Sequence, residues 1–526
     1  MTVTLSNNVT ETAQFCTVPR FVIPECSLSF HRQYSKIYTA RFSAAQPVLS
    51  AAATRQWAAF EHPNHDQLPI RSLNSLVTDE KCVILGTLYK EMKLKPSILR
   101  DLANSEFGQG GVQLQGDTLN TLMSSDDSIF LEDNVQRIRV VMDGLNGVSI
   151  TNLATGVVVA LLGVEPEHAQ GSFHVEDILF LEPQPEKPIY SLPTNTKRAD
   201  WMRFHISGPW LALVSGLDFN GAGQTRPGHS MALQLLADWL RSAGDLHPST
   251  DGVGIVRLMI LGDSVQLPTS TDATSGPTHL TQQARYLTRN ADAGSVTAMA
   301  LLDSWLSTLP LGPGHVRSRT AANGLPVDLL PGPSDAASQL LPQQPIHPSA
   351  FPLAVARAGG TGCGGLCGRT NPYACSVFGR KILATSGQGV NDLSLYTDLE
   401  TPCDRMEATL LWGHLAPTCP DTLPGYPLLK NDLLLMETSS ADSRLSPDYP
   451  DIYVAGCQPG EKPSWRRARL SWKDRSLKPS VHKEPCGALL VAVPRFSQSF
   501  SIVLVHLETL DCRVVHFDIS AFSDEN

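Results

Sequence analysis

Residues 370–396 read TNPYACSVFGRKILATSGQGVNDLSLY, and residues 410–427 read LLWGHLAPTCPDTLPGYP. In the first stretch Gly379 marks a turn, Ile382, Leu383 and Ala384 form a buried strand, and Thr385-Ser386-Gly387-Gln388 makes a glycine-bearing loop. That loop opens a short amphipathic helix carrying Val390, Leu393 and Leu395. In open α/β sheets a loop at the carboxyl end of a strand is where ligands sit. This one offers hydroxyls and an amide where catalysis would need a metal ligand or a base.

The flanking sequence falls into three parts. Residues 1–65 read as a helical segment, with FHRQYSKIYTARF (30–42) placing Phe30, Tyr34, Ile37, Tyr38 and Phe42 on one face. His31, Arg32, Lys36 and Arg41 make the other, a solvated basic face. From Lys81 the period changes to strands: KCVILGTLYK, IFLEDNVQRIRVVMDG, ITNLATGVVVALLGVE and SFHVEDILFLEP, with one short helix near 96–102. Such a run suits a Greek-key barrel of the OB type over 66–195. Its strand aromatics, Tyr89, Phe130, Phe173 and Phe180, are sparse for stacking bases. Residues 183–200 are Pro-rich and read as a linker.

Beyond the linker the pattern is α/β to residue 526. PWLALVSGL, GIVRLMILGDSV and LPVDLLPGPSD read as strands ending in loops. A helix at 229–244 shows Met231, Leu235, Leu236 and Trp239 as its apolar stripe, and a helix at 290–309 turns Val296, Met299, Leu302, Leu306 and Leu309 inward. Residues 264–281 read as a mobile surface loop. LLLME, DIYVAG, GALLVAVPRF, SFSIVLVHLE and DCRVVHFDI read as strands of a second, partly antiparallel sheet, and Arg466, Arg467, Arg469, Lys473 and Arg475 as a solvated basic loop.

Composition narrows the class. The chain has 526 residues, 42% hydrophobic and 17% charged, enough for several domains with large cores. A net charge of -10 argues against a broad nucleic-acid coat. Cys363, Cys367 and Cys375 lack the further nitrogen or sulfur ligands that zinc needs, so the cysteines are expected as free thiols. The amino-terminal residues lack a basic start and an apolar core, and the longest apolar run, 157–164, is too short to span a bilayer. The expectation is a soluble intracellular protein that makes no membrane contact.

Strand, loop, helix, strand and then Gly-Asp is how two-metal phosphoesterases present their ligands. KCVILGTLYKEMKLKPSILRDL, LALVSGL, VDLLPGPSD, LPQQPIHPSAFP, TSGQGVND, APTCPDTLPGYP and DIYVAGCQP together resemble the B-subunit family of replicative DNA polymerases, most closely the small subunits of polymerase delta. The resemblance spans roughly 80–460. Its family-signature positions include Gln343, Gln344, Pro345, Pro372, Ser386, Gly387, Gln388, His414, Pro417, Pro420 and Asp421. It implies an α+β multidomain fold: an OB-fold β-barrel joined, over 196–526, to a calcineurin-like phosphoesterase α/β sandwich.

Active members of that wider superfamily place Asp-x-His after the first strand, where this chain has Gly216-Leu217-Asp218. Their Gly-Asp-x-x-Asp is reduced to Asp263 with Gln266 in the last position, and their Asn-His-Asp or -Glu becomes Pro333-Ser334-Asp335. Ser386 stands for a His, and Gly456-Cys457-Gln458-Pro459 stands for Gly-His-x-His. No imidazole survives at these positions. Asp263 is the one firm carboxylate, with Asp218 and Asp335 as its company.

The resemblance therefore implies an inactive phosphoesterase domain with no catalytic residue, metal or cofactor. His414 is expected to have a structural hydrogen-bonding role. The implied partners are the carboxyl-terminal domain of the polymerase delta catalytic subunit and the third subunit, with weak or indirect DNA contact, in the nucleus, during replication and repair synthesis. Two alternatives stand beside it: a metal-dependent phosphodiesterase or 3′-exonuclease, and an independent single-strand-binding OB protein.

Overall fold

The computed structural model describes residues 15–24, 33–58, 68–95, 121–142, 148–182, 209–220, 227–242, 254–266, 294–311, 324–359, 365–428, 430–436, 449–469, 472 and 487–519. The expected helix at 96–102, the whole 183–200 linker, nearly all of the 264–281 loop, His31, Arg32, Cys363, Lys473 and Arg475 lie outside the described residues.

The chain enters with β1 (Phe15–Val18) and α1 (Ser35–Gln56). The stretch expected to be helical thus also contributes a strand. A barrel follows: β2 (Ile70–Arg71), β3 (Cys82–Glu91), β4 (Ser128–Glu132), β5 (Arg137–Val141), β6 (Val158–Val164) and β7 (Ser172–Leu179). IFLEDNVQRIRVVMDG is two strands, not one. Asp133 accepts the amides of Val135 and Gln136 on one carboxylate oxygen and reverses the chain between β4 and β5. The ring closes in the order β3-β4-β5-β7-β6 and back to β3, with β5 and β7 parallel. Alternation places Ile129 and Leu131 inside and Phe130 outside.

Two mixed six-stranded sheets make up the rest. The first runs β11-β10-β9-β8-β17-β18, from β8 (Pro209–Val214), β9 (Gly254–Leu261), β10 (Val327–Leu330), β11 (Leu366–Gly368), β17 (Ser501–His506) and β18 (Cys512–His516). The second runs β1-β12-β13-β14-β16-β15, from β12 (Tyr373–Val377), β13 (Arg380–Thr385), β14 (Ile452–Gln458), β15 (Ser464–Arg467) and β16 (Leu489–Pro494). Their inner faces share a core in which Leu213, Met259 and Leu261 meet Ile382, Val454 and Val491. The β12–β13 hairpin turns on Phe378 and Gly379, both at positive φ, as a two-residue turn between right-twisted strands prefers.

Helices cover both outer faces. Against the first sheet lie α2 (Pro227–Ser242), α3 (Gly294–Thr308) and α4 (Pro352–Ala358); against the second lie α5 (Gln388–Tyr396) and α6 (Pro402–Leu411). A last short helix, α7 (Phe496–Ser499), follows β16. The inward stripe of α2 is Ala232, Leu233, Leu236, Ala237 and Leu240, with Met231 exposed and Trp239 only partly buried. Small alanines let this helix approach the sheet, which the bulkier expected stripe would not. In α3 Leu302 and Leu306 face in, followed by buried Leu309, while Val296 faces out.

LLLME is not a strand: Leu435 makes only an isolated bridge to His414. Arg466, Arg467 and Arg469, the described arginines of the basic loop, are not a solvated excursion either. Arg466 sits on edge strand β15 and reaches Glu407, fully buried on α6, at 2.7 Å and Asp404 at 2.8 Å.

The barrel and the sandwich share one hydrophobic cluster, in which Leu88, Phe173 and Phe180 pack with Leu393, Leu411 and Trp412. Trp412 and Trp472 stack with centroids 5.7 Å apart. Burying each such side chain contributes roughly 2–3 kcal/mol, so barrel and sandwich are fastened by packing rather than by a tether alone.

Candidate functional site

The carboxyl ends of β8, β9, β10, β13, β14 and β16 converge, as strand ends do in sheets that carry sites. Three non-glycine residues here hold left-handed backbone: Asp218 (φ 50°), Asp263 (φ 49°) and Cys457 (φ 49°). Such strain clusters where loops are over-determined by their surroundings, typically at functional sites.

The centre is occupied by Arg495, the residue directly after β16. Its Nη1 donates to Asp218 Oδ1 at 2.7 Å, and its Nη2 donates to Asp263 Oδ2. Ser497 Oγ donates to the second oxygen of Asp218, and the Ser334 amide donates to Asp263 Oδ1 at 3.1 Å. Burial lowers the Arg495 pKa, but the negative charge around it, including these two carboxylates, outweighs that and raises it above its ordinary value. Asp218 and Asp263 are thus both paired with one tethered cation.

Asp335 is separate from that pair. It accepts the amides of Val265 (2.9 Å) and Gly332 (2.8 Å), and burial pushes its pKa up to about 7, with Asp263 adding to the rise. The Cys457 thiol is raised well above its usual value by burial and by the carboxylates nearby. Its amide donates to Ser215 Oγ at 2.9 Å. It is a packed thiol rather than a thiolate ligand. Among the described residues no cluster of His, Cys, Asp and Glu has a metal-holding arrangement.

Ser386 belongs to an amide network. Asn371 Nδ2 donates to Ser386 Oγ (2.6 Å) and to Gln343 Oε1 (2.7 Å), and its Oδ1 accepts the Ser386 amide at 3.0 Å. Gln388 Nε2 also donates to Gln343 Oε1, at 3.1 Å, while Gln343 Nε2 holds the Gly332 carbonyl at 3.1 Å. The loops after β10 and β13 are therefore stitched together by neutral groups. Gly387 has φ 93°, and a Cβ there would lie 2.0 Å from the Gly456 carbonyl oxygen.

The remaining singled-out residues are dispersed. Gln266, Pro333 and Pro459 are exposed at loop tips, and Gly216 (φ 60°) lets the backbone pass beneath Arg495. Pro345 is exposed and Pro372 buried, while Gln344 clamps Phe21 and Ile23 through their backbones.

Pro417, Pro420 and Asp421 lie in the loop that meets α1, where Arg41 is the surprise. It does not belong to a solvated face. It is 1% exposed, donating to Asp432 (2.7 Å) and to the carbonyls of Gly156, Pro417 and Cys419. The helix turns it inward because these orphan carbonyls need a multi-donor partner. His414 has the structural role expected of it: Nε2 meets Asp432 at 2.9 Å and Nδ1 accepts the Ala416 amide. Burial, then Arg41, holds its pKa down at about 4. Sequence reasoning missed Arg495, Asn371 and Asp432. The signal for Arg495 was a cation immediately after a wholly apolar strand, GALLVAVP, where a site loop begins.

Comparison with known proteins agrees with this architecture. Residues 33–178 match the family model described as DNA polymerase delta subunit OB-fold domain. Residues 211–462 match the family model for the B subunits of DNA polymerases alpha and epsilon. A barrel of this type followed by a B-type region defines the B-type subunits of replicative polymerases.

The chain is 34% identical to DNA polymerase delta subunit 2 of Drosophila melanogaster over 94% of its length and 95% of the relative's. It is 29% identical to the DNA polymerase delta small subunit of Arabidopsis thaliana, over 92% and 91%, and 28% identical to that of Saccharomyces cerevisiae, over 93% and 90%. The chain belongs to the family of polymerase delta small subunits.

Proposed function

We propose that this chain is a non-catalytic accessory subunit of a DNA polymerase delta complex, bridging the carboxyl-terminal domain of the catalytic subunit to the third subunit in nuclear replication and repair synthesis. In this reading residues 196–526 form a calcineurin-like phosphoesterase sandwich whose centre is inactive. Residues 66–195 form the barrel that joins it.

One observation carries the reading: Arg495 pairs both Asp218 and Asp263. Two-metal hydrolysis needs cations about 3.5–4 Å apart held by free carboxylates and imidazoles. A guanidinium supplies the charge but has no empty orbital with which to coordinate and acidify a water, as a metal ion does. What then remains to act is surface, and stable obligate contacts bury upward of about 2,000 Å². No described helix is long and apolar enough to cross a membrane, which fits a partner made of protein.

The test is paired expression, alone and with the carboxyl-terminal domain of the catalytic subunit. The reading expects soluble yield and a single gel-filtration species only in the pair. Any effect on DNA synthesis would then run through the partner. A well-behaved monomer that ignores that domain and binds single-stranded DNA at physiological salt would contradict it.

A further inference from the structure

On one side the two sheets of the sandwich end in β15 and β18, each paired with a single neighbour. β18 pairs with β17 in an unbroken antiparallel register. The bonds that flank this ladder, from His506 N–H to the Asp511 carbonyl and from Phe517 N–H to the Phe500 carbonyl, fix its phase. The backbone N–H and C=O groups of Arg513 and Val515 therefore turn toward β17, and those of Cys512, Val514 and His516 turn away from it. No described strand lies beyond them. Edge strands are ordinarily guarded by a proline, a bulge or an outward-pointing charge. β18 has no proline and no bulge, and its one arginine is folded back over the Trp210 ring, 5.0 Å away.

The side chains at this edge add a second signal. Trp465 and Arg467 stand opposite Val491 and Leu489 of the shared core, and Val514 stands opposite Val503 of the same core. All three thus point into the space between the sheets. The Arg467 charge acts on the Cys512 thiol, and β15 and β18 run in opposite directions, so Val514 lies toward the Trp465 end. Trp465 nevertheless stays 40% exposed and Val514 41%. The inner face of the sandwich is left open along this side.

That chemistry selects the occupant. Backbone N–H and C=O groups in alternation are satisfied together by another extended backbone, whereas a phosphate chain offers acceptors alone. Val514 and Trp465 call for apolar side chains at alternate positions of the incoming strand. The two edge strands, SWRR and CRVVH, carry Arg466, Arg467 and Arg513 and no carboxylate of their own. A second copy of the chain would set these cationic edges against each other, while acidic side chains complement them.

We propose that β18 receives, as an added strand, an extended segment of another subunit in which apolar residues alternate with acidic ones, the apolar ones packing on Val514 and Trp465. The proposal rests on the accessory-subunit reading.

The experiment is photo-cross-linking of the co-purified complex carrying Trp465→p-benzoylphenylalanine, read by mass spectrometry. The expected result is a cross-link to one short segment of another subunit that contains alternating apolar and acidic residues. Its yield should fall at least tenfold when Val514→Pro is added, since that change removes an outward N–H that β17 does not use, and the melting temperature should stay unchanged. Val514→Asp, which sets a carboxylate against the acidic strand, should lower the yield in the same way and serves if the proline variant does not fold. A complex that assembles and gives no intermolecular cross-link overturns the proposal. So does a cross-link to a second copy of this chain, to an added dT20 oligonucleotide, or to a segment without carboxylates, and so does a yield that neither Val514 variant lowers. Failure of the complex to assemble with the unaltered chain would instead count against the accessory-subunit reading.

Discussion

Two guanidinium–carboxylate clusters, one where α1, barrel and sandwich meet and one at the strand ends of the sandwich, differ in what surrounds the cation. Arg41 is 1% exposed, pairs with one carboxylate, and spends its other donors on three backbone carbonyls from the barrel and from the loop after α6. Arg495 has a 28% exposed side chain, pairs with two carboxylates, and sits among strained strand-end loops. The first cluster is a joint: it fixes α1, the barrel and the sandwich to one another. The second is a strand-end cluster in which one side-chain cation bridges two carboxylates. Removing the cation in each place separates the two roles.

Arg41→Ala should have the largest effect. Burial alone would raise the Asp432 pKa, but Arg41 and His414 outweigh it and hold the carboxyl well below its usual range. Without Arg41 that charge and three buried carbonyls lose their partner. Breaking such a buried pair costs about 3–5 kcal/mol, and the orphaned carbonyls place the loss at the upper end. Denaturant titration should show it, together with loosening of the barrel against the sandwich in hydrogen exchange.

Gly387→Val should follow, at roughly 3 kcal/mol, since positive φ disfavours a β-branched residue and the added carbon meets the Gly456 carbonyl. An unchanged melting temperature would mean that the strand-end loops are not constrained as described. Arg495→Ala should cost less than Arg41→Ala, about 2–3 kcal/mol, because water reaches part of the site and screens the two carboxylates. Added manganese should not restore the loss, since the remaining groups lack a metal-holding arrangement.

The legibility of the sequence follows the same division. Period-two alternation and Gly-Asp punctuation exposed the barrel strands and the loops after β8, β9 and β10, because those signals are local. Arg41 read as surface because helical periodicity reports only which face a residue is on. It cannot report that a loop some 380 positions away returns to that face with unpaired carbonyls. Arg495 was invisible for the same reason: its carboxylates lie 232 and 277 positions earlier. LLLME read as a strand from its apolar run, yet Asp432 accepts the Leu434 amide and turns the chain first.

The smallest predicted effect concerns pH at the joint. His414 has a folded pKa of about 4 against an ordinary 6.5. The unfolded ring takes a proton below pH 6.5 while the native ring does not. Its contribution is therefore fully present above 6.5 and is lost as pH falls toward 4, by about 2 kcal/mol at pH 5. Asp335 acts oppositely: with a folded pKa of about 7, its contribution declines as pH rises from about 4 to 7. Comparing the chain with His414→Gln isolates the first term. The stability gap between them should narrow by about 2 kcal/mol between pH 7.5 and 5 and stay constant above 7.

The most direct measurement is hydrolysis by the purified complex of bis-p-nitrophenyl phosphate and of a 3′-labelled single strand, with manganese or magnesium and with the catalytic subunit's own nuclease disabled. With Arg495 filling the space between Asp218 and Asp263, no turnover above buffer is expected, and Asp263→Ala should change nothing. Turnover that co-elutes with the chain and vanishes in Asp263→Ala would contradict the account.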